Sequence, residues 1–455
     1  MKNKKQSSRK DAKAPSFFKI LLYVMIIFSF ASCSKPYNTY YVRMDGSDAN
    51  SGLGNSAKKA WATIPHAVSQ IKAGDHLYVD DGEYINETIL FKNLHATPKQ
   101  PTLIKSINPW GALLTRPDEA NPDSSVVMVC ISSYLQFEGF EIVDALTGIE
   151  SGVDVRDSSH HITIKGNYIH DCACGGISSR KSDYLTFEEN VIRDNAKRNK
   201  WNCSGISVWH PIEVDQEPGF HIIIRKNISF ENECEIPFTS LGHTTPTDGN
   251  GIIVDDYRAT QKIENALGQE GGFKSGTLIE NNLCFNNGGK GINVYKSDNV
   301  TIRNNTSYHN LRVLHKYGDF PGDVTIGNSN GLRFYNNIIV QNPDYPTLAM
   351  RCYDTDSTNS KVYNNIIIGN KDFSGQILFE KDNQDRPATD QNYPEFVHPT
   401  VDVQFESFAD LLTYFDLKEN SPAIDAGTEP AALEDIKSKS RSIGDDVDIG
   451  CYEAY

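Results

Sequence analysis

The stretch Gly249-Asn250-Gly251-Ile252-Ile253-Val254-Asp255-Asp256-Tyr257-Arg258 places two adjacent carboxylates at the end of an apolar run, with Asp248 just ahead of it. Hard oxygen donors at this density suit a divalent cation such as Ca²⁺, with Asp248, Asp255 and Asp256 as its expected ligands. Four other segments share the frame of a Gly followed by a short alternating run, at 152–157, 176–181, 205–210 and 291–296. Aligned on that Gly, the fourth positions are Arg156, Arg180, Trp209, Asp255 and Tyr295, and the fifth are Asp157, Lys181, His210, Asp256 and Lys296. Side by side, these groups would bring carboxylates, cations and proton-transfer side chains into one row. Lys296, Lys181, His210 and Tyr295 are the candidate proton-transfer groups. Arg180, Trp209, Arg156 and Arg258 are the candidate substrate-binding groups, the indole offering a face to a sugar ring.

Such a row exists only if the five segments stack. A second pattern says that they do: two apolar residues two apart, then an Asn three positions after the second. It runs through Asn167, Asn190, Asn227, Asn282, Asn305, Asn337 and Asn365, with nearest spacings of 23 residues. Alternation is the mark of a strand, and a recurring Asn at the strand end is the mark of a turn whose amide bonds its own kind in the next coil. The reading is a parallel β-helix, an all-β solenoid in which coils about 4.8 Å apart bring the glycine segments into one cleft. Positions one and three after each Gly point inward and positions two and four outward. From Gly152 to Gly176 is one bare coil of 24 residues, but Gly205 to Gly251 takes 46 and Gly251 to Gly291 takes 40. The excess lies in loops at 213–219, 233–249 and 257–276, which are expected to wall the cleft.

Residues 1–32 carry Lys2, Lys4, Lys5, Arg9 and Lys10 ahead of an apolar run from Ile20 to Phe30, then Ala31-Ser32-Cys33. The run is short for a spanning helix, and the segment resembles a bacterial lipoprotein signal. Cys33 would then be lipidated and tether residues 33–455 to the outer membrane, on its periplasmic or surface face. The whole chain has net charge −15; without residues 1–32 there are 37 basic against 58 acidic residues, a balance of −21. A nucleic-acid partner is not expected of such a chain, nor attraction to anionic lipid beyond the Cys33 anchor. An anionic substrate would need a local basic patch, for which Arg156, Arg180, Lys181 and Lys296 qualify. Of the eight cysteines after Cys33, only Cys172 and Cys174 are close, with no second pair to make a metal site, and most are expected to be buried free thiols.

At the front, Thr63 is placed to cap a short helix running through Ala67 and Ile71 to Gly74, an expected lid on the open solenoid end, within a cap at about 38–85. Asp45-Gly46-Ser47-Asp48, Ala60-Trp61-Ala62-Thr63-Ile64, Ala73-Gly74-Asp75 and Gly82-Glu83-Tyr84, with Ser421-Pro422-Ala423-Ile424-Asp425-Ala426-Gly427 and Asp448-Ile449-Gly450-Cys451-Tyr452-Glu453, resemble the secreted bacterial right-handed parallel β-helix proteins of pectate-lyase-like fold. The resemblance implies one right-handed β-helix over 33–455, with a C-terminal capping segment at about 400–455. It also implies a polysaccharide lyase, glycoside hydrolase, epimerase or esterase. The ten-coil calcium-dependent pectate lyases carry paired acids before the strand and a Lys two positions after a Gly. Here the acids follow the strand, and Ser178, Ser207, Ile253 and Asn293 hold the second positions. The expected activity is metal-assisted β-elimination on an acidic polysaccharide or oligosaccharide by a monomer. The alternatives are a glycoside hydrolase, which pairs two carboxylates such as Asp255 with Asp157, Asp248 or Glu380, and a non-catalytic glycan-binding solenoid.

Overall fold

A computed structural model describes residues 37–454 apart from 118–120, 122–123, 145–150, 240–241, 262–270, 318–321, 356–358, 376–377, 380–382, 391–392 and 442–443. Residues 1–32, Cys33 and Glu380 therefore lie outside the described residues. Among the described residues the strands form three parallel sheets of twelve, ten and eleven strands, each coil adding one strand to each sheet in turn. This is the expected right-handed parallel β-helix. Inward positions are apolar and sealed: Ile177, Ile206, Val208, Ile252, Val254, Ile292 and Val294 line one wall of the core at 0–1% exposure.

The asparagines do what their spacing demands. Asn167, Asn190, Asn227, Asn282, Asn305, Asn337 and Asn365 are buried, and each donates its backbone N–H and its amide to the Oδ1 of the next, at 2.9–3.1 Å. Asn383 receives the same pair from Asn365. The stack satisfies buried turn amides that no strand could reach. A second ladder, not anticipated, runs through Asn195, Asn232, Asn287 and Asn310 and ends on Asp323, whose carboxylate accepts from the backbone N–H and the amide of Asn310, both at 2.8 Å. Its members stand five residues after members of the first, at 190/195, 227/232, 282/287 and 305/310, a signal present in the sequence.

Helix Ile64–Gln70 is capped by Thr63, whose side chain accepts from the His66 N–H, and buries Ile64 and Ala67. The C-terminal segment lies along the flank of the third sheet, where Phe396, Phe415, Ile436 and Tyr452 pack on Phe230, Phe285, Tyr308 and Ile338. Side chains of residues preceding the ladder asparagines hold it there. Asn281, Asn304, Asn336 and Asn364 donate to the backbone carbonyls of Glu434, Asp448, Thr428 and Ala426. Cys174 and Cys203 form a disulfide across adjacent coils, and six other cysteines are buried free thiols.

Candidate active site

The second sheet brings the glycine segments together as their spacing requires. In register, Arg180 lies opposite Trp209, Trp209 opposite Asp255, and Asp255 opposite Tyr295, while Val155 opposite Ser179 continues the row toward Arg156. The fifth column behaves differently. Asp157, Lys181, His210, Asp256 and Lys296 all have φ between 47° and 58°, so they form a left-handed corner that ends the strand.

That corner corrects two expectations. His210 and Asp256 are buried against each other, Nε2 to Oδ2 at 2.8 Å, with side-chain exposures of 1% and 0%. Asp256 also accepts from the Thr260 N–H and hydroxyl, at 3.0 and 2.7 Å, and from the Gln261 N–H at 2.5 Å. Burial works to raise its pKa, but these donors win and hold it below the usual carboxylate range. The pair fastens the loop that follows the strand; neither opens to the cleft as a proton-transfer group or a metal ligand. Arg258, expected to bind substrate, makes a two-pronged pair with Asp298 at 3.0 and 2.7 Å, and Arg156 is buried in a pair with Asp154. Trp209 is half-buried and stacks on His210 at 3.9 Å. Lys296 holds its ammonium 5.1 Å above the Tyr295 ring and donates to the Thr260 hydroxyl at 3.1 Å. Arg180 and Lys181 are part-exposed at the end of the row beyond Trp209.

The centre of the cleft is built from Asp248, Asp255 and Lys290. The outward neighbours Ile253, Asn293 and Thr325 are nonetheless buried. Burial pushes the Asp255 carboxyl well above its ordinary pKa, and the charges of Asp248 and Asp256 push it further, against a hydrogen bond from Gln261 at 3.3 Å. Asp248 is held by the Asn250 amide at 2.8 Å and the Thr247 hydroxyl at 3.1 Å. Lys290 was not anticipated. Its backbone N–H is fixed on Asn250 Oδ1 at 2.9 Å, and its ammonium donates to the Thr247 carbonyl at 2.7 Å. Burial lowers its pKa, Asp248 and Asp255 partly restore it, and Arg351 adds to the lowering. The preceding Gly289 makes this approach possible, since a Cβ there would lie 2.7 Å from both Asn250 Oδ1 and the Asp248 carbonyl.

The expected Ca²⁺ cage of Asp248, Asp255 and Asp256 does not fit these residues. Asp256 is engaged by donors on both oxygens, and the Lys290 ammonium lies within electrostatic reach of the other two carboxylates. Among the described residues no three His, Cys, Asp or Glu side chains converge as a metal set.

Residues 248–388 match the family model described as a right-handed beta helix region. No curated protein matches the chain. Among solved structures, pectate lyase Pel9A is similar at 15% identity, covering 92% of this chain and 96% of that one, with a TM-score of 0.49. A rhamnogalacturonan lyase is similar at 13% identity, over 80% of this chain and 91% of that one, TM-score 0.37. The GH136 lacto-N-biosidase from Eubacterium ramulus follows at 14%, over 81% and 70%, TM-score 0.38.

Proposed function

We propose that the cleft cleaves a uronic-acid-containing polysaccharide by β-elimination, with Lys290 as base and Asp255 as acid. One juxtaposition carries this reading: Lys290, whose pKa burial lowers, and Asp255, whose pKa burial raises, lie within electrostatic reach of one another at the outward face of the second sheet. Opposite displacements within one site are what a base and an acid need. Neutral Lys290 takes the proton on the carbon next to the sugar carboxylate. The C–H electron pair becomes the new C=C bond as the C–O bond to the leaving sugar breaks, and Asp255 delivers its proton to that oxygen. Lys296 and Arg351 flank the centre as cations for the sugar carboxylate, and Arg180 and Lys181 extend the positive surface two coils on, roughly 10 Å away at 4.8 Å per coil.

A glycoside hydrolase reading draws on the electrostatic coupling of Asp248 with Asp255, as acid and base or nucleophile. It leaves Lys290 without a role. The two are separated by incubating the protein with uronic-acid glycans and neutral glycans while following ultraviolet absorbance and reducing ends. β-Elimination gives an unsaturated product that absorbs; hydrolysis gives reducing ends without absorbance and would overturn the reading. Turnover is expected to survive a calcium chelator; abolition by the chelator and rescue by Ca²⁺ would reinstate the metal. The disulfide fits an oxidising compartment, and the proposal includes export.

A further inference from the structure

Round the corner from the cleft, the outer face of the first sheet carries a cavity of 340 Å³ that this chemistry does not use. Its floor is a row set by strand register: Gln136 opposite Thr163, Thr163 opposite Thr186, Thr186 opposite Ile223. All four are half-buried. One wall is a ladder of rings, Tyr134 on His161 at 4.3 Å, His161 on Tyr184 at 4.2 Å and Tyr184 on His221 at 3.8 Å. Its two ends are apolar, with Pro98 and Pro101 just before strand Thr102–Ser106 on the Gln136 side and Phe220, 40% exposed, at the start of strand Phe220–Arg225 on the Ile223 side.

The charge pattern narrows the occupant. No Lys, Arg, Asp or Glu lines the cavity. His160 and His161 share a hydrogen bond between their Nδ1 atoms at 2.9 Å, and burial lowers the pKa of both, so the pair is held toward neutrality. At the rim, Asp215 accepts from the Tyr184 hydroxyl at 2.6 Å, which places negative charge where an anionic ligand would enter. Three polar side chains in a row about 10 Å long, with the ladder of rings along one side and proline and phenylalanine at the ends, suit a molecule with hydroxyls on one side and C–H groups on the other.

We propose that this cavity binds a neutral glycosyl residue, as a second carbohydrate site separate from the acidic-substrate cleft. The inference does not rest on the β-elimination reading. The test is calorimetric titration of the full chain with neutral hexasaccharides (cello-, manno- and galacto-series) and with a hexagalacturonate, in wild type and in Phe220→Ser and Thr163→Arg. Phe220→Ser removes the exposed ring, and Thr163→Arg fills the floor from an outward position, so neither cuts into the core. At least one neutral series is expected to bind, with affinity falling tenfold or more in both variants, while turnover in the cleft is unchanged. The proposal is overturned if no neutral series binds, if binding is unchanged in both variants, or if the hexagalacturonate competes for this cavity as well as the neutral sugars do.

Discussion

Lys290 and Asp255 are one residue from a glycine and four residues from a glycine respectively, and that difference decided which of them could be read from sequence. Asp255 stands at an outward strand position, where the alternation points at it; Lys290 precedes its glycine and reaches the cleft through a turn, supported by Thr247 and Asn250 from the neighbouring coil. Asp256 shows the converse. A carboxylate is visible in a sequence, but the donors its own loop turns back on it, Thr260 and Gln261, are not. Lys290→Arg puts a permanent cation where the base stands, because guanidinium does not deprotonate. Its elimination rate is expected to fall roughly 10²–10⁴-fold, as is that of Asp255→Asn, with substrate binding changed less than turnover. Near-wild-type absorbance kinetics in Lys290→Arg would remove it from the mechanism.

At the scale of the element, the asparagine ladders were half legible. The first announced itself because an Asn closes each strand; the second was hidden because its members fall in turns of varying length, although each follows the first by five residues. Its last rung is a carboxylate. Burial lifts Asp323 to about 6, against hydrogen bonds from Ser307 and Asn310. A raised folded-state pKa means that the folded chain binds this proton more tightly than the unfolded chain does. Stability from this group is therefore full below about pH 4, is lost as pH rises through about 6, and amounts to roughly 3 kcal/mol at 1.36 kcal/mol per unit. Asp323→Asn continues the ladder with an amide and is expected to raise the urea midpoint at pH 7.5 while leaving it nearly unchanged at pH 4. A lower midpoint at pH 7.5 would contradict this. The disulfide ties coils at 174 and 203, a separation of 29 residues that corresponds to roughly 3–4 kcal/mol of loop-closure stabilisation. The double variant Cys174→Ser, Cys203→Ser should lose about that much by denaturant titration, and an unchanged midpoint would show that the bridge stabilises nothing.

Over the whole molecule, the solenoid was readable because its repeat is written in residue types, whereas the course of the C-terminal segment was not. Nothing in its composition says that it folds back along the third sheet, since the surface it covers is assembled from Phe230, Phe285, Tyr308 and Ile338, one from each coil. Ending the chain at residue 392 would uncover that apolar stripe, and the shortened protein is expected to associate or precipitate at lower concentrations than the full chain, as sedimentation would show. A monodisperse, fully active truncation would refute this.

The buried Arg441 has a bearing on how such a chain comes to be finished. Its guanidinium joins the Asn281 side chain to the Gly450 carbonyl and the Glu453 carboxylate, linking a mid-chain turn to the last few residues. Coils can stack one upon another as they emerge, each needing only its predecessor. The outer face of the third sheet is covered only by residues that follow every coil in the chain, so that apolar face stays bare until they dock.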